Sequence, residues 1–258
     1  MADESALPDR SPQDLWAELR KLTAARIALR RSGASLATGP LLDFQLAHAR
    51  ARDAVHAPLD LPRLIADLAK LGLSVIEAAS AVENMQQYLM RPDLGRRLGA
   101  GGETKLKAHA GFYDVVFVIA GGLSARAVET HAAPVLTGVL PELQAGGWRI
   151  APLIVVRHGR VAIGDAIAGA LGAKSVAVLI GERPGLSAPD SMGAYLTWNP
   201  NAMIADADRN CISNIRPAGT GYADAAGKLA HLLRAMRARQ VSGVQLKDDS
   251  DRRLIEGN

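Results

Sequence analysis

Glu182, Cys211 and six histidines are the side chains with which this chain could do proton-transfer or nucleophilic chemistry. Glu182 lies in the loop Gly181-Glu182-Arg183-Pro184-Gly185, directly after an apolar run at 175–180. A carboxylate there can accept several N–H or O–H bonds from a ligand. Paired with Arg183 or another arginine, it would be a structural ion pair instead. Cys211 would be a nucleophile if a histidine activated it. None of His48, His56, His109, His131, His158 and His231 stands in a recognisable cysteine-hydrolase context. Without that partner, a lone cysteine packs as a small hydrophobe. Gly121-Gly122-Leu123-Ser124 follows an apolar run and opens a helix, so its backbone N–H groups could meet an anion. It departs from GxGxxG, which argues against nicotinamide. The stretch 99–105, GAGGETK, misses the phosphate-loop spacing and reads as a hinge. No acid–base dyad, triad or metal cluster emerges, so these residues point to binding.

Positioning them requires strands. The runs 115–119, 150–156 and 175–180 are continuously apolar and β-branched, as expected of strands buried on both faces. Helical stretches at 125–143 and 165–171 separate them, and 194–198 reads as a further strand. A clear helix over 223–239 places Leu229, Leu232, Leu233 and Met236 at i, i+3, i+4 and i+7. Strands alternating with helices imply an α/β fold, a Rossmann-like, mostly parallel, helix-covered sheet. Such sheets bind ligands beyond the carboxyl ends of their strands. The loops after 175–180 and 194–198, the second being the polar stretch 208–214, are therefore expected to line a cleft.

The first hundred residues read differently. Ser11-Pro12-Gln13-Asp14 starts a helix with a hydroxyl cap and an early proline, and Leu15, Leu19 and Leu22 mark one face. Asp60-Leu61-Pro62 starts another, where Leu61, Leu64, Ile65, Leu68 and Leu71 follow the helical period and Gly72 stops it. Loops are expected at Ser32-Gly33 and Gly39-Pro40, and 74–88 is helical or mixed. These features divide the chain into a disordered start (1–10), a mainly helical region (11–102), a Rossmann-like domain (103–243) and a flexible charged tail (244–258).

Of the 258 residues, 48% are hydrophobic but only 4% aromatic, so the core must be built from Ala, Val, Leu and Ile. The formal charge is +4 and the pI near 9.4. No basic run interleaved with aromatics accompanies that excess, which argues against nucleic acid. A single cysteine excludes an internal disulfide and fits a reducing cytosol. No apolar run reaches the ~20 residues that span a bilayer, and the polar start does not resemble a secretory signal.

Five segments carry a family resemblance: YLMRPDLGRRL (88–98), GGLSARAV (121–128), VRHGRVAI (156–163), GERPGL (181–186) and DRNCISNI (208–215). In this order they resemble the small, or light, subunit of ethanolamine ammonia-lyase, with the likeness running from about residue 19 to about 243. The resemblance implies an adenosylcobalamin-dependent lyase that converts ethanolamine to acetaldehyde and ammonia by a radical route. A large, barrel-type subunit would hold the substrate and the reacting groups. This chain would help enclose the cobalamin at the interface through Val161, Glu182 and Cys211, with Arg160 as a further contact, and would supply no catalytic residue. A thiol close to an organic radical would quench it, so Cys211 would touch the cofactor away from its adenosyl group. The DxHxxG of base-off cobalamin proteins does not occur, implying a cofactor that keeps its own base on cobalt. Family members often carry aspartate before GLS, where this chain has Gly121. The basic face made by Arg20, Lys21, Arg26, Arg30 and Arg31 reads as a surface for the partner subunit. Location in a bacterial microcompartment or plain cytosol are both compatible, the short N-terminal stretch favouring the latter. The competing class is a stand-alone α/β nucleotide-binding or regulatory protein.

Overall fold

The computed structural model describes residues 16–29 and 31–250. The expected disordered start and the helix cap at residues 11–14 lie outside them. The described residues form two compact units that divide between Ala49 and Arg50. In the first, a short helix α1 (Ala17–Lys21) precedes a two-residue antiparallel ribbon of β1 (Arg31–Ser32) and β2 (Ser35–Leu36). Helix α2 (Thr38–His56) begins there and runs on into the second unit. Gly39-Pro40, expected as a loop, lies in its first turn, where proline's missing N–H costs nothing.

The second unit is built on a six-stranded sheet. Its strands are β3 (Val75–Ala79), β4 (Val116–Ala120), β5 (Leu153–Arg157), β6 (Ser175–Gly181), β7 (Met192–Trp198) and β8 (Asn210–Ile215), in the spatial order β3-β5-β4-β6-β7-β8. The first four are parallel, β7 is antiparallel to β6, and β8 antiparallel to β7. The helices are α3 (Leu61–Ala69), α4 (Met85–Met90), α5 (Gly102–Lys107), α6 (Ala125–Ala145), α7 (Ile163–Leu171) and α8 (Tyr222–Arg239).

Period-2 alternation sorts the strand residues into two cores. Val115, Phe117 and Ile119 join Leu153, Val155, Ala177 and Leu179 beneath α3, α6 and α8. Val116, Val118 and Ala120 join Ile154, Val156, Val176 and Val178 beneath α5 and α7. All five β4 residues are buried, the condition that makes a strand read as one apolar run. The sheet is thus a Rossmann-like layer covered on both sides. Strand β4 leaves through α6 over one face and its neighbour β5 leaves through α7 over the other. Divergent exits from adjacent parallel strands open a crevice at their carboxyl ends.

The stretch 74–88, read as helical or mixed, is mixed: β3 forms the sheet's edge and α4 follows, so the sheet reaches back beyond the glycines at 99–102. Two features differ from the sequence reading. The polar stretch 208–214 is mostly strand β8. Ile212 and Ile215 are its buried residues, three apart because a bulge opposite Met192 and Ala194 and the left-handed Asn214 (φ 56°) shift the pleat by one. The tail is anchored in its described part, where Leu246 enters the core and its carbonyl accepts a 2.7 Å bond from Asn210 Nδ2.

Candidate functional site

The loop after β5, His158-Gly159-Arg160-Val161, is clamped from the side by 88–98. Tyr88 is fully buried and donates its hydroxyl to Gly159 O at 3.2 Å. Arg160 N donates to Gly95 O at 2.7 Å. The Arg160 guanidinium stacks 4.0 Å above the Tyr88 ring while its Nη2 donates to Tyr88 O at 2.9 Å. Burial pushes the Tyr88 phenol up to about 12, against the opposing effect of Arg160. This segment therefore has a structural role: it fixes the direction in which Val161 is presented. Arg160 Nε is buried with no hydrogen-bond partner.

The loop after β6 is fixed from below. Gly122 (φ 61°) and Gly181 approach so closely that a Cβ on Gly122 would lie 2.3 Å from Gly181 O, and one on Gly181 2.0 Å from Ser124 O. Only glycine tolerates both the left-handed backbone and the contact. Leu123 N donates to Gly181 O at 3.1 Å, so that amide of the GGLS turn braces β6 and is not open to an anion. Ser124 Oγ donates to Pro189 O at 3.1 Å. Buried His131 holds the far end of the loop: its Nε2 is 2.9 Å from Asp190 O and its Nδ1 2.8 Å from Tyr222 Oη. A carbonyl can only accept, so Nε2 carries the proton and Tyr222 donates to Nδ1. Burial holds the His131 pKa below the ordinary imidazole value, the nearby Arg216 adding to the effect and the Asp190 carbonyl opposing it.

Glu182 sits between these supports. Both its carboxylate oxygens accept from Asn214 N at 3.2 Å. No ion pair to it occurs among the described residues, so the arginine-paired alternative is not what the fold adopts. Gly193 on β7 leaves the space: a Cβ there would lie 3.1 Å from Glu182 Oε1. One shared N–H leaves most of the lone pairs of this half-buried carboxylate open to a ligand.

Cys211 faces Tyr195 in the β7–β8 register. Burial raises the thiol pKa, the neighbouring Tyr195 phenol lowers it, and the Glu182 carboxylate raises it again. Burial likewise pushes Tyr195 up to about 12, with Cys211 and Glu182 adding to it. Cys211 itself stays exposed at the rim.

Val161 and Glu182 line one cleft of about 410 Å³ with Tyr88, Leu123, Arg160, Ile180, Arg183 and Tyr195. Cys211 is not among the residues that line it; it stands opposite the cleft residue Tyr195 in the β7–β8 register. A larger cavity of about 960 Å³ lies against α5 and α7, between Arg96, Glu103, Asp165 and Pro200, and is lined by none of Val161, Glu182 and Cys211. Tyr88 and Tyr195 escaped notice in the sequence because isolated tyrosines look like core. The ion pair of Arg209 with Asp165, 2.6 Å apart, escaped because 44 residues separate the two. No cluster of three metal-ligating side chains occurs among the described residues.

The fold and cleft define an α/β protein with an open crevice beyond its strand ends, in which Glu182 keeps spare acceptor capacity. Residues 13–247 match the family model for the ethanolamine ammonia-lyase light chain (EutC). The chain belongs to that family and is a lyase subunit. It is 50% identical to the ethanolamine ammonia-lyase small subunit of Ralstonia nicotianae over 99% of this chain and 97% of that one. The corresponding figures are 49%, 97% and 95% for the Azotobacter vinelandii small subunit, and 47%, 99% and 95% for that of Pseudomonas aeruginosa.

Proposed function

We propose that this chain is the cobalamin-holding small subunit of an adenosylcobalamin-dependent lyase that turns ethanolamine into acetaldehyde and ammonia, and that the cofactor lies between it and a large, barrel-type subunit. The observation that supports the reading is that Val161 and Glu182 line one open cleft, with Cys211 opposite that cleft's Tyr195 in the β7–β8 register. The donor set fits a corrin. Glu182 has acceptor capacity for side-chain amide N–H groups, Val161 offers an apolar contact to the macrocycle, and Cys211 stands at the rim with its thiol held protonated. A cleft of about 410 Å³ covers one edge of so large a ligand, so another chain must cover the rest.

Bound there, adenosylcobalamin would supply the radical chemistry that such a lyase needs. This chain's residues bind and orient. Tyr88 and Arg160 fix the Val161 loop, while Gly122, Ser124 and His131 fix the Glu182 loop. Tyr195 stands beside Cys211 across the β7–β8 register. The substrate and the groups that react with it belong to the large subunit.

The test is cobalamin titration of the complex with Glu182→Ala. Affinity should fall about tenfold, the loss of one charge-assisted hydrogen bond, while the chain's unfolding midpoint moves little. Unchanged titration would remove Glu182 from the site. Full ethanolamine-dependent ammonia release by the large subunit alone would overturn the reading as a whole.

A further inference from the structure

Helix α2 carries its side chains the wrong way round for a helix of a free-standing chain. Its half-buried positions are Pro40, Ala47, Ala49, Ala51, Ala54 and Val55, none of them large. Its large apolar residues are exposed: Leu41 at 39%, Leu42 at 58%, Phe44 at 40% and Leu46 at 51%. At about 100° per residue these four are spread around the helix and form no single stripe. No residue of the nineteen is fully buried. A helix with apolar groups on several sides belongs inside a larger body, and one this long gains most of its stability from packing.

Charge narrows what that body is. Residues 16–56 hold seven lysines and arginines against three carboxylates, and the remainder of the chain is balanced, 23 against 23. The whole formal excess of +4 therefore sits on the segment that lacks a core. A second copy of the segment would bring like charges together, which disfavours self-association. Beside the start of α2, a cleft of about 400 Å³ lined by Arg20, Arg26, Leu29, Pro40 and Asp43 offers an anchoring point of the kind that dominates interface energy.

We infer that α2 inserts into an apolar trough edged with carboxylates on the large subunit, and that this insertion, separate from the cobalamin cleft, holds the two chains together. The inference rests on the proposed pairing with that subunit.

The experiment titrates the full chain onto purified large subunit, with and without cobalamin, and compares three forms: wild type, Leu42→Asp/Phe44→Asp, and Arg50→Glu/Arg52→Glu. All four substituted residues are exposed, so circular dichroism and unfolding midpoints of the free chain should match wild type. The apolar double variant should bind at least tenfold more weakly even without cofactor. The arginine double variant should bind more weakly and lose most of the wild type's salt dependence. Wild-type affinity in both variants would overturn the inference while leaving the pairing intact. A wild-type dimer in sedimentation that Leu42→Asp/Phe44→Asp dissolves would also overturn it, because a second copy would be the occupant. Failure of the wild type to bind the large subunit at all would bring down the pairing with it.

Discussion

The guanidinium of Arg209 closes on the carboxylate of Asp165 with two hydrogen bonds, Nη1 to Oδ1 at 2.8 Å and Nη2 to Oδ2 at 2.6 Å. Thr197 Oγ1 accepts a third, at 2.8 Å. Arg209 precedes β8, which carries Cys211, and Asp165 stands in the first turn of α7, just after Val161. Both side chains are nearly out of solvent, at 3% and 10% exposure. The pair therefore ties together the two chain segments that carry Val161 and Cys211. Its bearing on the Val161–Glu182 cleft is through those segments, since neither side chain lines it.

Breaking this pair leaves a buried charge alone. Asp165→Ala should destabilise the chain by about 3–5 kcal/mol, read as a fall in urea midpoint at unchanged slope. Replacing both partners, as Asp165→Leu/Arg209→Met, should restore much of the loss, because the desolvation of both charges is avoided. A double variant no more stable than Asp165→Ala would contradict this account.

The contact between Gly122 and Gly181 makes a second prediction. Gly122→Ala must clear a carbonyl oxygen 2.3 Å from the new Cβ and hold a left-handed backbone. A loss of about 3 kcal/mol or more is expected from overpacking and strain together. Gly101, also left-handed but with open space around it, should tolerate alanine at about 1 kcal/mol. Equal losses at the two positions would show that backbone strain alone sets the cost.

His131 makes stability depend on pH. Its folded pKa lies below the ordinary 6.5, chiefly through burial. The unfolded chain therefore takes up the proton first as pH falls, and the neutral imidazole's stabilising contribution is complete above 6.5 and shrinks below it. Urea midpoints should fall from pH 7 to pH 5, and His131→Gln should flatten that slope. His158, depressed in the same direction by burial and by Arg157, accounts for what slope remains.

Cys211 should alkylate slowly although it is exposed, because burial of the sulfur and the Glu182 carboxylate both raise its pKa. Iodoacetamide rates at pH 8 should rise in Glu182→Gln, which removes the negative charge. They should fall in Tyr195→Phe, which removes the phenol hydroxyl that lowers the thiol pKa. A rate indifferent to Glu182 would separate the two side chains.

The parallel part of the fold was legible because β4, β5 and β6 are buried on both faces and read as unbroken apolar runs. Strand β8 was not, because its pleat is shifted at Asn214 and only two of its six residues are buried. Strand β3 was hidden by its edge position, where Glu77 faces solvent. For the site, Val161, Glu182 and Cys211 stood out through their motifs. Their supports did not: His131 is one buried histidine among six, and the Asp165–Arg209 link spans a distance no local spacing reveals. Gly39-Pro40 misled because proline in a first helical turn has the composition of a loop.

The glycine contact under the cleft also decides which wall can adapt. Strands β4 and β6 are joined backbone to backbone at Gly122 and Gly181, so the floor is an anvil of fixed width. The segment 183–188 hangs between a neck closed by Glu182 N and Ser191 O, at 3.0 Å, and the tethers at Pro189 and Asp190. A guest of awkward outline must therefore be accommodated by bending that outer strap.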